Sequence, residues 1–96
     1  MIRGSVQIGD PVVYTMRKVS PHPGKRAHDI DPAPRGELYV YLVDKLWAVA
    51  EVRDDGQLVV VTRRGKRYVL AKDDPNLRRP TLWERLRYWA RFPRAG

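Results

Sequence analysis

The chain has 96 residues, of which 43% are hydrophobic and 31% are charged, with no cysteine and a formal net charge of +8. This length suits one domain with a modest core, and the composition excludes a disordered chain, disulfides, thiolate zinc sites and thiol catalysis. No apolar run approaches the roughly 20 residues of a membrane span, and the first residues lack a secretion signal. We therefore expect a cytoplasmic protein without integral membrane contact.

The positive charge is concentrated toward the ends of the chain. Residues 37–77 carry seven basic and seven acidic residues, whereas residues 78–96 carry six arginines against Glu84 alone. Such an excess indicates a polyanionic partner, such as nucleic acid or an anionic membrane surface. A solvated basic surface without a partner is the alternative interpretation.

The first predicted element is a strand within residues 8–18. Gly9 and Asp10 form a turn, and the side chains that follow alternate so that one face can join a core. Residues 20–36 contain half of the eight prolines, both histidines and few aliphatic residues. They predict an extended loop that is either functional or disordered, because proline disfavours helix and long loops are usually one or the other.

Residues 38–72 predict a β-meander. A long run of alternating and apolar residues reaches position 52, where an Asp55-Gly56 pair favours a hairpin turn. The β-branched run at 58–62 is typical of a strand, and a second turn at Gly65 leads into a third strand. The meander is the strongest structural signal in the sequence.

A C-terminal helix is predicted over residues 81–92. Thr81 and Glu84 have the spacing of a capping box, in which each side chain binds a backbone N–H of the other residue. A stripe at helical spacing is predicted to face the core, with largely buried side chains, and consists of Leu82, Leu86, Trp89 and Ala90. A helix this short needs such packing, since it is unstable alone.

The elements together predict a mainly β fold, with residues 1–96 as a single domain. The segment Gly9-Asp10-Pro11-Val12-Val13-Tyr14 resembles the opening of SH3-like barrels of the KOW and Tudor kind, and the resemblance covers residues 8–72. It implies a small antiparallel SH3-like barrel, or a curled sheet, of four to five strands with the helix packed on it. Segments 20–24, 43–47 and 62–66 also resemble a small bacterial family of uncharacterised proteins.

No catalytic, metal or cofactor site is predicted. His22, His28, Asp29 and Asp31 could meet in the proline-rich loop, but their spacing matches no standard zinc site. The Asp54-Asp55 and Asp73-Asp74 pairs stand where turns need aspartate. We therefore expect a protein that is not an enzyme and is a monomer.

The basic residues around the second hairpin give the best functional candidate. Arginine matches phosphate oxygens with its planar fork, so the sequence predicts contacts to the phosphate backbone of nucleic acid, with RNA somewhat favoured, through the tip of this hairpin and the basic C-terminal segment. The predicted contact residues are Arg63, Arg64, Lys66, Arg67, Arg78 and Arg79. Four aromatic residues could add stacking surfaces, namely Tyr39, Tyr41, Trp47 and Tyr68, but for most of them packing in the core or against the helix is the favoured interpretation.

Two other functions stay open at this point. The proline-rich loop or the tryptophan-rich helix could meet a protein partner. The same helix, with Trp83, Trp89 and Phe92 among its arginines, could instead attach to an anionic lipid surface.

Overall fold

A six-stranded antiparallel sheet followed by one short helix makes up the protein, as seen in a computed structural model that describes residues 1–32 and 38–94. In chain order the elements are β1 (Pro11–Ser20), β2 (Ala27–Pro32), β3 (Tyr39–Val52), β4 (Gln57–Val61), β5 (Arg67–Ala71), β6 (Leu77–Arg78) and α1 (Leu82–Tyr88). The strand order is β5-β4-β3-β1-β6, and β2 pairs with β3. The predicted mainly β fold with a C-terminal helix is confirmed as an open antiparallel sheet, which has six strands and not the four to five predicted, because β2 and β6 were not expected from the sequence.

The described residues form two compact units, Met1–Tyr14 with Leu46–Gly96, and Thr15–Lys45. The core of the first unit is centred on β4, where Leu58, Val59 and Val60 are all buried. Val60 is paired with Val49 of β3 and Tyr68 of β5, so both sides of this strand are hydrogen-bonded. β-branched side chains suit such a strand because they fill a pleated surface that is covered on both faces.

The predicted proline-rich loop at 20–36 is only partly a loop. In the second unit, β2 occupies Ala27–Pro32 and pairs with the first part of β3, from Ala27 opposite Val43 to Pro32 opposite Tyr39. The pairing shifts between His28 and Asp31, where Asp29 adopts a φ of 50°. Residues 33–36 of the predicted loop lie outside the described residues. The strand was missed because it is mostly exposed and carries little apolar pattern.

The helix begins where the sequence predicts but ends earlier. Thr81 is the N-cap, its hydroxyl accepts from the Glu84 N–H, and the Glu84 carboxylate accepts from the Thr81 N–H, so the capping box is confirmed. Helical structure reaches Tyr88, with Trp89 as the C-cap, and not residue 92.

The predicted core-facing stripe of α1 is wrong in its direction. Its large side chains are 65–73% exposed, and they are Leu82, Leu86 and Trp89; Trp83, beside the stripe, is 67% exposed. The physical reason lies on the opposite face of α1, where the Glu84 carboxylate forms an ion pair with Arg78 of β6 through two hydrogen bonds. That pair holds the helix by its polar side and turns the apolar side to solvent.

Replacing Leu86 with alanine should therefore lower the free energy of unfolding by less than about 1 kcal/mol, because an exposed side chain loses little burial. Leu77→Ala is the matched control, since Leu77 of β6 is fully buried and such leucines cost about 2–5 kcal/mol. Urea unfolding followed by circular dichroism measures both. Equal losses in the two variants would show that α1 packs its apolar stripe in the core.

Candidate nucleic-acid interface

The turn between β4 and β5, residues 62–67, is called here the hairpin tip, and its Arg63, Arg64, Lys66 and Arg67 are called the tip cations. The Thr62 N–H donates to the Lys66 carbonyl at 2.8 Å, and the Gly65 N–H donates to the Thr62 carbonyl at 2.9 Å. The Thr62 hydroxyl accepts from the Lys66 N–H at 3.1 Å. Gly65 supplies the left-handed φ of 85° that the turn needs. The tip is thus a closed, hydrogen-bonded turn.

The tip cations are exposed and are not neutralised. Each is solvent-exposed, and within residues 1–32 and 38–94 none forms an ion pair with a carboxylate. The hairpin itself offers no acid, since residues 57–72 contain five basic residues and no Asp or Glu. The Lys66 ammonium lies 5.5 Å from the centre of the Tyr68 ring. Four positive charges therefore stand together on one turn.

The aspartates of the neighbouring turns have other partners. The Asp55 carboxylate accepts from the Gln57 N–H at 3.1 Å. Asp74 accepts from the Asn76 N–H at 2.8 Å and from the Tyr14 hydroxyl at 3.4 Å. These carboxylates stabilise turns, the role that the sequence assigned to them.

Arg78 and Arg79 differ from the tip cations because the fold uses their charges. Arg78 donates two hydrogen bonds to the Glu84 carboxylate, at 2.6 and 2.9 Å, and this pairing lowers the pKa of Glu84 to about 2. Arg79 lies 3.6 Å from the Asp10 carboxylate and donates to the Ser5 carbonyl at 2.5 Å. Arg78 belongs to β6, and β5 and β6 stand at opposite ends of the strand order. The six predicted residues thus divide into four available cations and two structural ones.

Three aromatic rings stack beside the hairpin tip. Trp47 is stacked on Tyr14 at 5.2 Å and on Tyr68 at 5.0 Å between ring centres. Trp47 is only 4% exposed and Tyr41 is buried as well, so these two pack in the core, as the favoured interpretation expected, and do not offer stacking surfaces. Tyr68 is half-buried and adjoins Lys66. It therefore lies beside the tip cations, and Tyr39, the first residue of β3, is 36% exposed.

Tyr14 was not singled out by the sequence analysis. Its ring belongs to the stack, and burial and the nearby Asp74 carboxylate raise the pKa of its hydroxyl. The alternation of side chains indicates that Tyr14 lies on one face of its strand. Alternation does not indicate that Tyr14 contacts Trp47, which belongs to a strand far away in sequence.

A polar network in the second unit was also missed. His28 lies between two carboxylates, with Nδ1 3.0 Å from Asp29 and Nε2 3.2 Å from Asp44. The Thr15 hydroxyl donates to the same Asp44 at 2.8 Å. Hydrogen bonding to Asp29 and then to Asp44 raises the pKa of His28. The network ties β2 to β3. The described part of the chain contains no group of three or more His, Cys, Asp or Glu side chains that could hold a metal ion.

No helix within the described ranges is long and apolar enough to cross a membrane. In comparisons with protein-family models, with curated proteins and with solved structures, nothing matches this chain. The interface is therefore interpreted from its own charges and contacts.

Proposed function

We propose that the protein binds nucleic acid through the tip cations and catalyses no reaction. The observation that carries the proposal is four exposed basic side chains within residues 63–67 that have no carboxylate partner in the described parts of the chain. Three other arginines of the first unit, Arg53, Arg78 and Arg79, each face an acid, whereas the exposed arginines that follow Glu84 are spread along α1 and the segment after it. Leaving like charges together and unpaired is unfavourable unless an anion offsets them.

The chemistry of the tip favours contacts to phosphate over contacts to bases. Guanidinium groups bind phosphate oxygens in pairs, and a lysine adds a point charge. A six-residue turn carries no helix or long ribbon to enter the major groove, which is where base edges are read. Binding should therefore depend weakly on sequence.

Tyr68 favours the binding of single-stranded nucleic acid. Its half-buried ring lies on the Trp47 stack, and stacking on an aromatic ring holds single-stranded bases without regard to their identity. Single-stranded RNA is accordingly the favoured ligand over duplex DNA, and a cytoplasmic location fits this role.

The double variant Arg63→Ala/Arg64→Ala should weaken binding by at least about tenfold and reduce the salt slope by about two, because two phosphate contacts are lost. The loss should be similar for oligonucleotides of unrelated sequence. Fluorescence anisotropy of labelled RNA and DNA strands, titrated between about 50 and 200 mM salt, measures both quantities. Stability should change little, since the removed charges are exposed.

The matched control is Arg85→Ala/Arg87→Ala, which removes the same charge from exposed positions on α1. It should keep nearly the whole salt slope. Equal weakening by the two double variants would show diffuse attraction to a basic protein and not a site at the tip. Absence of binding to every strand at the lowest salt would reject the proposal outright.

A further inference from the structure

A second surface, on α1, is separate from the hairpin tip and is apolar. At about 100° per residue, Leu82, Leu86 and Trp89 fall within roughly 60° of one another, and Trp83 widens this arc to about 120°. All four side chains are exposed. We call this set the helix face. It is an apolar stripe of the width that is usual for an amphipathic helix, but it faces solvent.

The side of α1 opposite the helix face is the attached one. Glu84 and Tyr88, which project about 180° from the centre of the arc, are the half-buried residues of the helix. Glu84 is held by Arg78 and by the capping box. The helix face is thus presented outward by bonds on its far side, and its exposure is a fixed feature of the fold.

Arginines border the helix face on both sides. Arg85 projects about 40° beyond Trp89, and Arg87 about 40° beyond Trp83. Arg91 and Arg94 follow, and all four are exposed. The one acid of this segment, Glu84, is already paired with Arg78. Arg87 and Arg91 each lie 5.7 Å from the centre of the Tyr88 ring, and none of the four arginines forms an ion pair within residues 1–32 and 38–94. The surface therefore combines an apolar centre with a positive rim.

We propose that the helix face docks on an anionic lipid surface. Leucine and tryptophan side chains enter the boundary between headgroups and acyl chains, while flanking arginines stay at the level of the acidic headgroups. Charge complementarity selects this occupant, because a rim that is positive on both sides of the apolar arc matches a surface that is uniformly negative.

A second copy of the chain suits the helix face poorly. Two copies would bring Arg85 and Arg87 of each protomer against those of the other, and each chain carries a net charge of +8. Like charges placed together across an interface oppose association.

A groove adjoins the helix face. Trp89 and Arg85 line a groove of about 370 Å³ together with Gly9 and Pro11. Ile8, the neighbour of Gly9, is also exposed. A flat lipid surface can cover a helix and an adjoining loop at once, whereas a narrow protein groove receives the helix alone.

Partition of the protein onto vesicles tests the proposal. Vesicles of phosphatidylglycerol and phosphatidylcholine in equal parts should shift the emission of Trp83 and Trp89 to shorter wavelength, and vesicles of phosphatidylcholine alone should shift it little. Leu86→Gln should reduce the partition coefficient by about tenfold without changing charge, because one leucine no longer enters the interface. Arg85→Gln/Arg87→Gln should reduce it by about fivefold per arginine.

Two controls separate the helix face from general attraction to a basic protein. Val69→Gln removes an exposed apolar side chain from β5, and Arg63→Gln/Arg64→Gln removes the same charge from the hairpin tip. Both should partition like the natural chain. The proposal would be overturned if Leu86→Gln partitioned onto vesicles like the natural chain. It would also be overturned if the only effect of Leu86→Gln were a changed oligomeric state, measured by sedimentation. Because Arg63 and Arg64 are replaced in both assays, by glutamine on vesicles and by alanine on oligonucleotides, failure of either proposal leaves the other testable.

Discussion

Replacing Trp47 with alanine should lower the free energy of unfolding by about 3–5 kcal/mol, the range for a large buried aromatic residue. Trp47 is buried and stacks on both Tyr14 and Tyr68, so the change leaves a cavity and removes two ring contacts. Because those rings come from β1 and β5, the loss should affect strands on both sides of β3. Urea unfolding followed by far-ultraviolet circular dichroism measures it.

Two further variants sharpen this expectation. Trp47→Phe keeps an aromatic ring in the stack and should cost about 1–2 kcal/mol, less than the alanine variant. Trp83→Ala removes the same side chain from an exposed position on α1 and should cost less than about 1 kcal/mol. If Trp47→Ala and Trp83→Ala destabilised the protein equally, the aromatic stack would not be part of its core.

The strands that sequence predicted well are those fixed by local chemistry. β4 and β5 follow from a β-branched run at Val59–Val61 and from glycines that supply a left-handed φ in the two turns, Gly56 and Gly65. β6 has only two residues, and it exists because Leu77 and Arg78 pair with Tyr14 and Val13 of β1. Because β6 forms by pairing with residues more than sixty positions away, its own sequence carries no strand pattern.

The helix shows a different limit. Its capping box lies within four residues, so its start was predictable, and its apolar periodicity was read correctly. Periodicity identifies which residues share a face but not which way that face points. The direction is set by the Arg78–Glu84 pair, and nothing in the helical pattern itself names Arg78 as the partner.

The residues of the candidate interface also differ in how far their surroundings can be predicted from the sequence. The tip cations are close together because they are close in sequence, so their grouping could be predicted from one hairpin. Arg79, in contrast, is engaged by Asp10 and by backbone carbonyls near the start of the chain. Sequence alone shows a positive charge but does not show whether the fold uses it.

Stability should fall in acid in a way that depends on Glu84. The Arg78 guanidinium lowers the pKa of this carboxyl from an ordinary value of 4.5 to about 2, so folding favours its ionised form. The stabilisation is complete above about pH 5, declines as the pH falls below 4.5, and is lost near pH 2. We expect it to reach about 1–3 kcal/mol, below the full 1.4 kcal/mol per pKa unit, because Arg78 is 40% exposed and water screens the pair.

The measurement is the difference in unfolding free energy between the natural chain and Glu84→Gln as a function of pH. Glutamine keeps the shape of the side chain and cannot ionise, so the other carboxyl groups cancel in the difference. The difference should be largest near neutral pH and should vanish toward pH 2, whereas Glu51→Gln should change the free energy of unfolding little at neutral pH because Glu51 is exposed and 3.8 Å from Arg53. A Glu84→Gln difference that does not change with pH would mean that the Arg78 pair does not hold α1 to β6, and the outward direction of the helix face would then lack its physical cause.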